Sequence, residues 1–148
     1  MIIKNKKTDA FHPRPRSFID LMDMYEHNYI RLRLFCGDIR QLPDETVSTL
    51  PGGVPVCLKV LERARHTTTL MLTYLFDEGD RRPDLKIQIY HDSRQADVIS
   101  RNCRLTGRDM RLWEEQIDNV LLCRWRLNRF LYKWLKHLDY QGHSFKKT

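Results

Sequence analysis

Residues 67–91 read TTTLMLTYLFDEGDRRPDLKIQIYH, two apolar runs on either side of a polar hinge. Side chains alternate across a strand. In Thr67–Phe76 that places Leu70, Leu72, Tyr74 and Phe76 on one face, and Thr69, Met71, Thr73 and Leu75 on the other. Both faces are largely apolar, so this run reads as a central strand. Leu85–His91 alternates more sharply, with Leu85, Ile87 and Ile89 inward and Lys86, Gln88 and Tyr90 outward. The hinge DEGDRRPD, residues 77–84, has turn chemistry throughout. Working outward, Thr46–Leu50 and Val54–Glu62 are further strands around the turn PGG at 51–53, and Ala96–Ser100 follows, with Arg101–Leu105 as a possible extension. The intervals between strands are too short for crossover helices, so the sheet is expected to be an antiparallel meander.

Helices bracket this sheet. Ser17 suits an N-cap, and Phe18, Met22, Tyr25, Tyr29, Leu32 and Cys36 then recur at steps of four and three, up to a stop at Gly37. The C-terminal run from Glu114 to about Gln141 would be roughly 40 Å long as a helix. Its stripe is Ile117, Val120, Leu121, Leu127, Leu131, Trp134 and Leu138, interrupted by Arg124. The expected fold class is therefore α+β: an antiparallel meander of about four to five strands flanked by an N-terminal and a long C-terminal helix, both on one face. Residues 1–16, with HPRPR, read as a flexible basic arm, residues 17–142 as one domain, and residues 143–148 as a basic tail.

The composition agrees with a single packed domain: 148 residues, 41% apolar. No segment approaches the ~18 consecutive apolar residues of a membrane span. The start, MIIKNKKTDA, lacks the apolar core of a secretory signal, so a cytoplasmic location is expected. Cys36, Cys57, Cys103 and Cys123 form no close pair, and the plain expectation is four free, more or less buried thiols. The formal charge is +7, and it is uneven. Five Lys and Arg stand against Asp9 in residues 1–16, and seven stand against Asp139 in residues 124–148, so the body between them is net acidic. Basic ends suit an anionic partner, whether nucleic acid, acidic protein or phospholipid, and they also serve solubility.

Four stretches in this order carry a resemblance: YEHNY at 25–29, ERARHTTTL at 62–70, IYHDSRQADV at 89–98 and NRFLYKWL at 128–135. Together they resemble the YqiB-like family of small proteobacterial proteins, a domain of unknown function, over roughly residues 18–142. The resemblance implies a fold neighbourhood and no mechanism.

Candidate sites follow from residue chemistry. Tyr90, His91 and Asp92 end a strand. They read either as a turn capped by Asp92 or as a ligand edge, with His91 as a base beside Asp92. Neighbouring strand residues face opposite ways, so His91 and Asp92 share a target only if the chain turns there. Arg65 and Arg94, with Lys86, Thr67 and Thr68, form a candidate phosphate cradle; an ion pair of Glu62 with an arginine explains the same residues. No metal-ligand spacing, P-loop, dinucleotide fingerprint or nucleophile elbow occurs, and neither a metal nor a cofactor is expected. A His27–His66–His91 cluster is open to the fold but has no support from spacing. On the last helix, Arg126, Arg129 and Lys133 fall on one face, with Trp125, Tyr132 and Lys136 nearby. Such a face suits an acidic protein groove or a nucleic acid with stacked bases, and also an ordinary solvated surface. The reading is a non-catalytic interaction or regulatory protein with an acidic or anionic partner bound by Arg126, Arg129 and Lys133. The alternatives are an RNA- or DNA-associated protein and a small-molecule phosphate or nucleotide enzyme centred on His91 and Asp92.

Overall fold

A computed structural model describes residues 18–77, 81–100, 103 and 113–146. Ser17, Arg101, the Arg104–Leu105 end of the possible extension and the arm of residues 1–16 lie outside the described residues. Helix α1 spans Phe18–Cys36, and Gly37 ends it in the left-handed region at φ 75°, its N–H donating to the Arg33 carbonyl at 2.9 Å. A single 3₁₀ turn, Ile39–Gln41, follows, capped by the Asp38 side chain. Five strands come next: β1 Glu45–Ser48, β2 Val56–Arg63, β3 Thr67–Leu75, β4 Arg81–Tyr90 and β5 Gln95–Val98. Helix α2, Trp113–Gln141, closes the chain.

The sheet order is β1-β2-β3-β4-β5, every neighbour antiparallel, so it is the expected meander with β3 at its centre. Register follows the apolar alternation. One row across the sheet joins Leu58, Leu72 and Leu85, and another joins Val60, Leu70, Ile87 and Val98. These rows face both helices. Tyr29, Leu32 and Phe35 of α1 and Leu131, Trp134, Leu135 and Leu138 of α2 complete a single core with them. A second, smaller cluster joins Leu21, Met24 and Tyr25 of α1 to Trp125 of α2.

Three sequence expectations change. The buried face of α1 is wider than its expected stripe: Tyr25, Tyr29, Leu32 and Cys36 are buried as expected and Leu21, Met24 and Phe35 join them, whereas Phe18 is 62% exposed and Met22 only half-buried. This helix is apolar on more than one side, with Ile30 and Leu34 also exposed, so spacing did not single out the packed face. The hinge is shorter than expected, because β4 starts at Arg81. Pro83 fits there because it falls at a register shift against β3, between the pairs Leu72–Leu85 and Tyr74–Arg82. Two of the four cysteines are not free. Cys103 and Cys123 form a disulfide with Cα atoms 5.8 Å apart, while Cys36 and Cys57 are free and buried. The partners are 20 residues apart, a separation with no pattern to read.

Gly142, at φ 106°, stops α2, but the chain then folds back onto the domain. The Phe145 N–H donates to the Phe35 carbonyl at 3.0 Å, and the two rings meet edge to face at 5.1 Å. His143 is 2% exposed, and its Nδ1 shares a 2.9 Å hydrogen bond with Ser48 Oγ of β1.

Candidate functional site

Helix α2 presents two polar faces. On the inner one, Arg124 and Asn128, four residues apart, stand on the same side. Strand β5 is the edge of the sheet, and a bare edge leaves backbone groups unpaired. Asn128 meets that edge: its Oδ1 accepts from the Val98 N–H at 2.9 Å, and its Nδ2 donates to Asp97 Oδ1 at 3.0 Å and to the Arg124 carbonyl at 2.9 Å. From α1, the Asn28 Nδ2 donates to the Asn128 carbonyl at 3.2 Å and to its Oδ1 at 3.3 Å. Arg124 donates to Asp97 and, at 3.1 Å, to the Tyr25 hydroxyl. Asn28 and Asn128 are fully buried, and Asp97 nearly so.

The electrostatics of this hub follow from that burial. Desolvation pushes the Asp97 carboxyl above its ordinary value, against the pull of Arg124 and Asn128. Burial also raises the Tyr25 phenol, opposed by its hydrogen bond from Arg124. Asn128 uses all of its hydrogen-bonding capacity inside the protein, and the Asn28 Oδ1 is buried without a partner. The arrangement locks two helices to a strand edge.

Sequence reasoning missed this hub, although it treated Arg124 as an interruption of the stripe. The available signal was polar residues set into apolar surroundings: Asn28 beside Tyr29, Asp97 between Ala96 and Val98, and Asn128 four residues after Arg124. Only contact between α1, β5 and α2 makes these one group.

The outer face of α2 is different. Arg126, Arg129 and Lys133 are all exposed, as is Lys136, and no acidic residue occurs from Arg126 to Lys136. Among the described residues, no carboxylate pairs with them; the nearest acid along the helix, Asp139, lies 3.8 Å from Arg31 of α1. Phe130, 47% exposed, lies among these cations, and Tyr140 is 91% exposed one turn beyond them. Trp125 does not join this face. It is buried with Leu21 and Met24, because it lies on the side of the helix that meets α1. Tyr132 is half-buried, with the Lys136 ammonium 5.5 Å from its ring centre.

The β4–β5 connection holds the remaining candidates. His91–Arg94 form a turn, and Arg94 takes φ 56°. His91 continues the inward row after Ile89 and meets Thr68 Oγ1 through its Nε2 at 2.7 Å. Burial and the Arg40 guanidinium lower its pKa. Asp92 pairs with His66 rather than with His91, Nδ1 to Oδ2 at 2.9 Å, and both side chains are well exposed. His27 takes other partners, the Asp23 carbonyl at 2.7 Å and the Tyr132 ring at 6.2 Å. Tyr90 is 40% exposed and stands opposite Gln95, whose side chain reaches Met22 of α1 at 3.9 Å. The cradle of Arg65, Arg94, Lys86, Thr67 and Thr68 is split. Thr68 is on the helix side with His91, whereas Thr67 and Lys86 point to the other face, and the Arg65 carbonyl accepts from Arg40 Nη1 at 3.2 Å. Glu62 has no ion pair with an arginine among the described residues. Those residues contain no group of three or more His, Cys, Asp or Glu placed to hold a metal ion. No described helix is long and apolar enough to cross a membrane.

Compared with known families, residues 31–144 match the family model described as "Protein of unknown function (DUF1249)". No curated protein and no solved structure matches.

Proposed function

The chain belongs to the DUF1249 family of proteins of unknown function, and from that premise we propose that it is a non-catalytic, cytoplasmic binding protein whose outer α2 face docks an acidic protein partner. The finer placement among YqiB-like proteins is part of the same proposal, supported by the order of the four sequence stretches. One observation carries the functional reading: Arg126, Arg129 and Lys133 are aligned, exposed and, among the described residues, without carboxylate partners around an exposed Phe130. Cations flanking an apolar centre match an acidic surface with one apolar anchor. Trp125 and Trp134, two of the rings the nucleic-acid alternative relied on, are turned into the core, whereas Phe130 and Tyr140 stay exposed for stacking, so the two readings are separated by the choice of probe.

The test is fluorescence anisotropy with two labelled probes, an acidic peptide containing one aromatic residue and a single-stranded RNA of equal charge. Preferred binding of the peptide, lost in an R126A/R129A/K133A variant, supports the proposal. Preferred binding of RNA, falling steeply with salt, replaces it with the nucleic-acid reading. A cytoplasmic location carries its own consequence. Disulfides seldom persist under reducing conditions, so Cys103 and Cys123 are expected to be thiols in growing cells, which rapid alkylation before lysis measures. A fully oxidised pair contradicts the location.

A further inference from the structure

Away from Arg126, Arg129 and Lys133, none of which lines it, a cleft of about 730 Å³ runs along α1 and the β4–β5 turn. That volume lies in the usual range for small-molecule sites. Three cations from three separate parts of the chain line it: Arg33 of α1, Arg94 of the turn and Lys146 of the returning C-terminal segment. None has a carboxylate partner among the described residues. Two acids also line the cleft. They are Glu26 of α1 and Asp38, which accepts from the Arg40 N–H at 3.1 Å, so three cations stand against two carboxylates in the lining. Ile30 and Leu34, each 53% exposed and one turn apart, form an apolar wall beside them.

Arg94 adds a second observation. An L-residue in the left-handed region is strained, and glycine or asparagine normally takes such a place. An arginine held there, lining a cleft with two other cations that have no carboxylate partner among the described residues, fits a side chain kept for contact.

We propose that this cleft binds a small organic anion, a carboxylate or phosphate head on a short apolar body, with Arg33, Arg94 and Lys146 holding the head and Ile30 and Leu34 contacting the body. The site is separate from the outer face of α2. The test is an NMR titration of the full chain with hexanoate, hexyl phosphate, inorganic phosphate and hexylamine, following the Gly37 and Ser93 amides. One or both hexyl anions are expected to shift these amides, and which of them does so identifies the head group. Hexylamine and inorganic phosphate should bind at least about tenfold more weakly, the loss of one charge-assisted contact or of the apolar contact. Arg94→Gly keeps the fold, because glycine adopts this φ freely, and should weaken the bound anion about tenfold. R126A/R129A/K133A should bind it as the unchanged protein does, so failure of the α2 proposal and failure of this one are distinguishable. Unchanged affinity in Arg94→Gly, hexylamine or inorganic phosphate binding as well as the hexyl anions, or no shift by either hexyl anion at about 10 mM, a concentration that would reveal even millimolar affinity, overturns the proposal.

Discussion

The two faces of α2 are both polar, and they do opposite things. The inner face, Arg124 and Asn128, is turned to the protein: Arg124 meets Tyr25 of α1 and Asp97 of β5, and Asn128 meets Asn28 of α1 and Asp97 and Val98 of β5. The outer face, Arg126, Arg129 and Lys133, meets no carboxylate among the described residues. The difference shows what a charge in a helix signifies. A polar side chain turned inward must find partners within the fold, because burying it unpaired costs free energy. One turned outward is already satisfied by water, so its presence carries no structural obligation and leaves it available to a partner.

That contrast is open to direct attack. The largest effect is expected for Asn128→Leu, which strips partners from the Val98 N–H, the Asp97 carboxylate and the Asn28 amide at once. A loss on the order of 3 kcal/mol in urea unfolding is expected, since each buried group left unpaired costs about 1–3 kcal/mol. A loss below about 1 kcal/mol would mean that water reaches the hub. Arg124→Gln comes next, at about 1–2 kcal/mol, less than for a fully buried ion pair because the Arg124 side chain is 29% exposed.

Smaller still is a pH effect. Desolvation lowers the pKa of His143 and also of His91. A histidine depressed in the folded state binds its proton more readily when unfolded, so its contribution is full above the ordinary value near 6.5 and declines as pH falls below it. Tm should therefore be level from pH 8 to about 6.5 and fall below that, with a shallower fall in His143→Gln. A slope of the opposite sign would contradict the buried neutral histidines. The smallest effect belongs to the outer face: R126A/R129A/K133A should change stability by no more than about 0.5 kcal/mol. A larger loss would show that these cations serve the fold and would remove the case for a docking surface.

Much of the fold was legible because local pattern and tertiary packing agreed. Residues Thr67–Phe76, apolar on both faces, had to be central, and β3 is the central strand. Alternation in Leu85–Ile89 set the register of β4, and the outer cations of α2 fell on one face by helical geometry alone. Legibility failed where two choices were locally equal. Helix α1 has apolar residues on several sides, and only contact with the sheet and α2 selected Leu21, Met24 and Phe35 over Phe18. The His91–Asp92 pair invited a joint role, yet the turn sends Asp92 to His66 and leaves His91 with Thr68.

The sequence by itself therefore determined the element order, the antiparallel meander and the basic face of α2, because each depends on periodicity or on neighbouring residues along the chain. The tertiary structure alone decided the hub of Asp97, Arg124, Asn128, Asn28 and Tyr25, the Cys103–Cys123 bond and the cleft shared by Arg33, Arg94 and Lys146. Those groups join residues 20 to more than 100 positions apart. Partnership at such separations is set by which surfaces pack together, a property of the whole chain that no local spacing records.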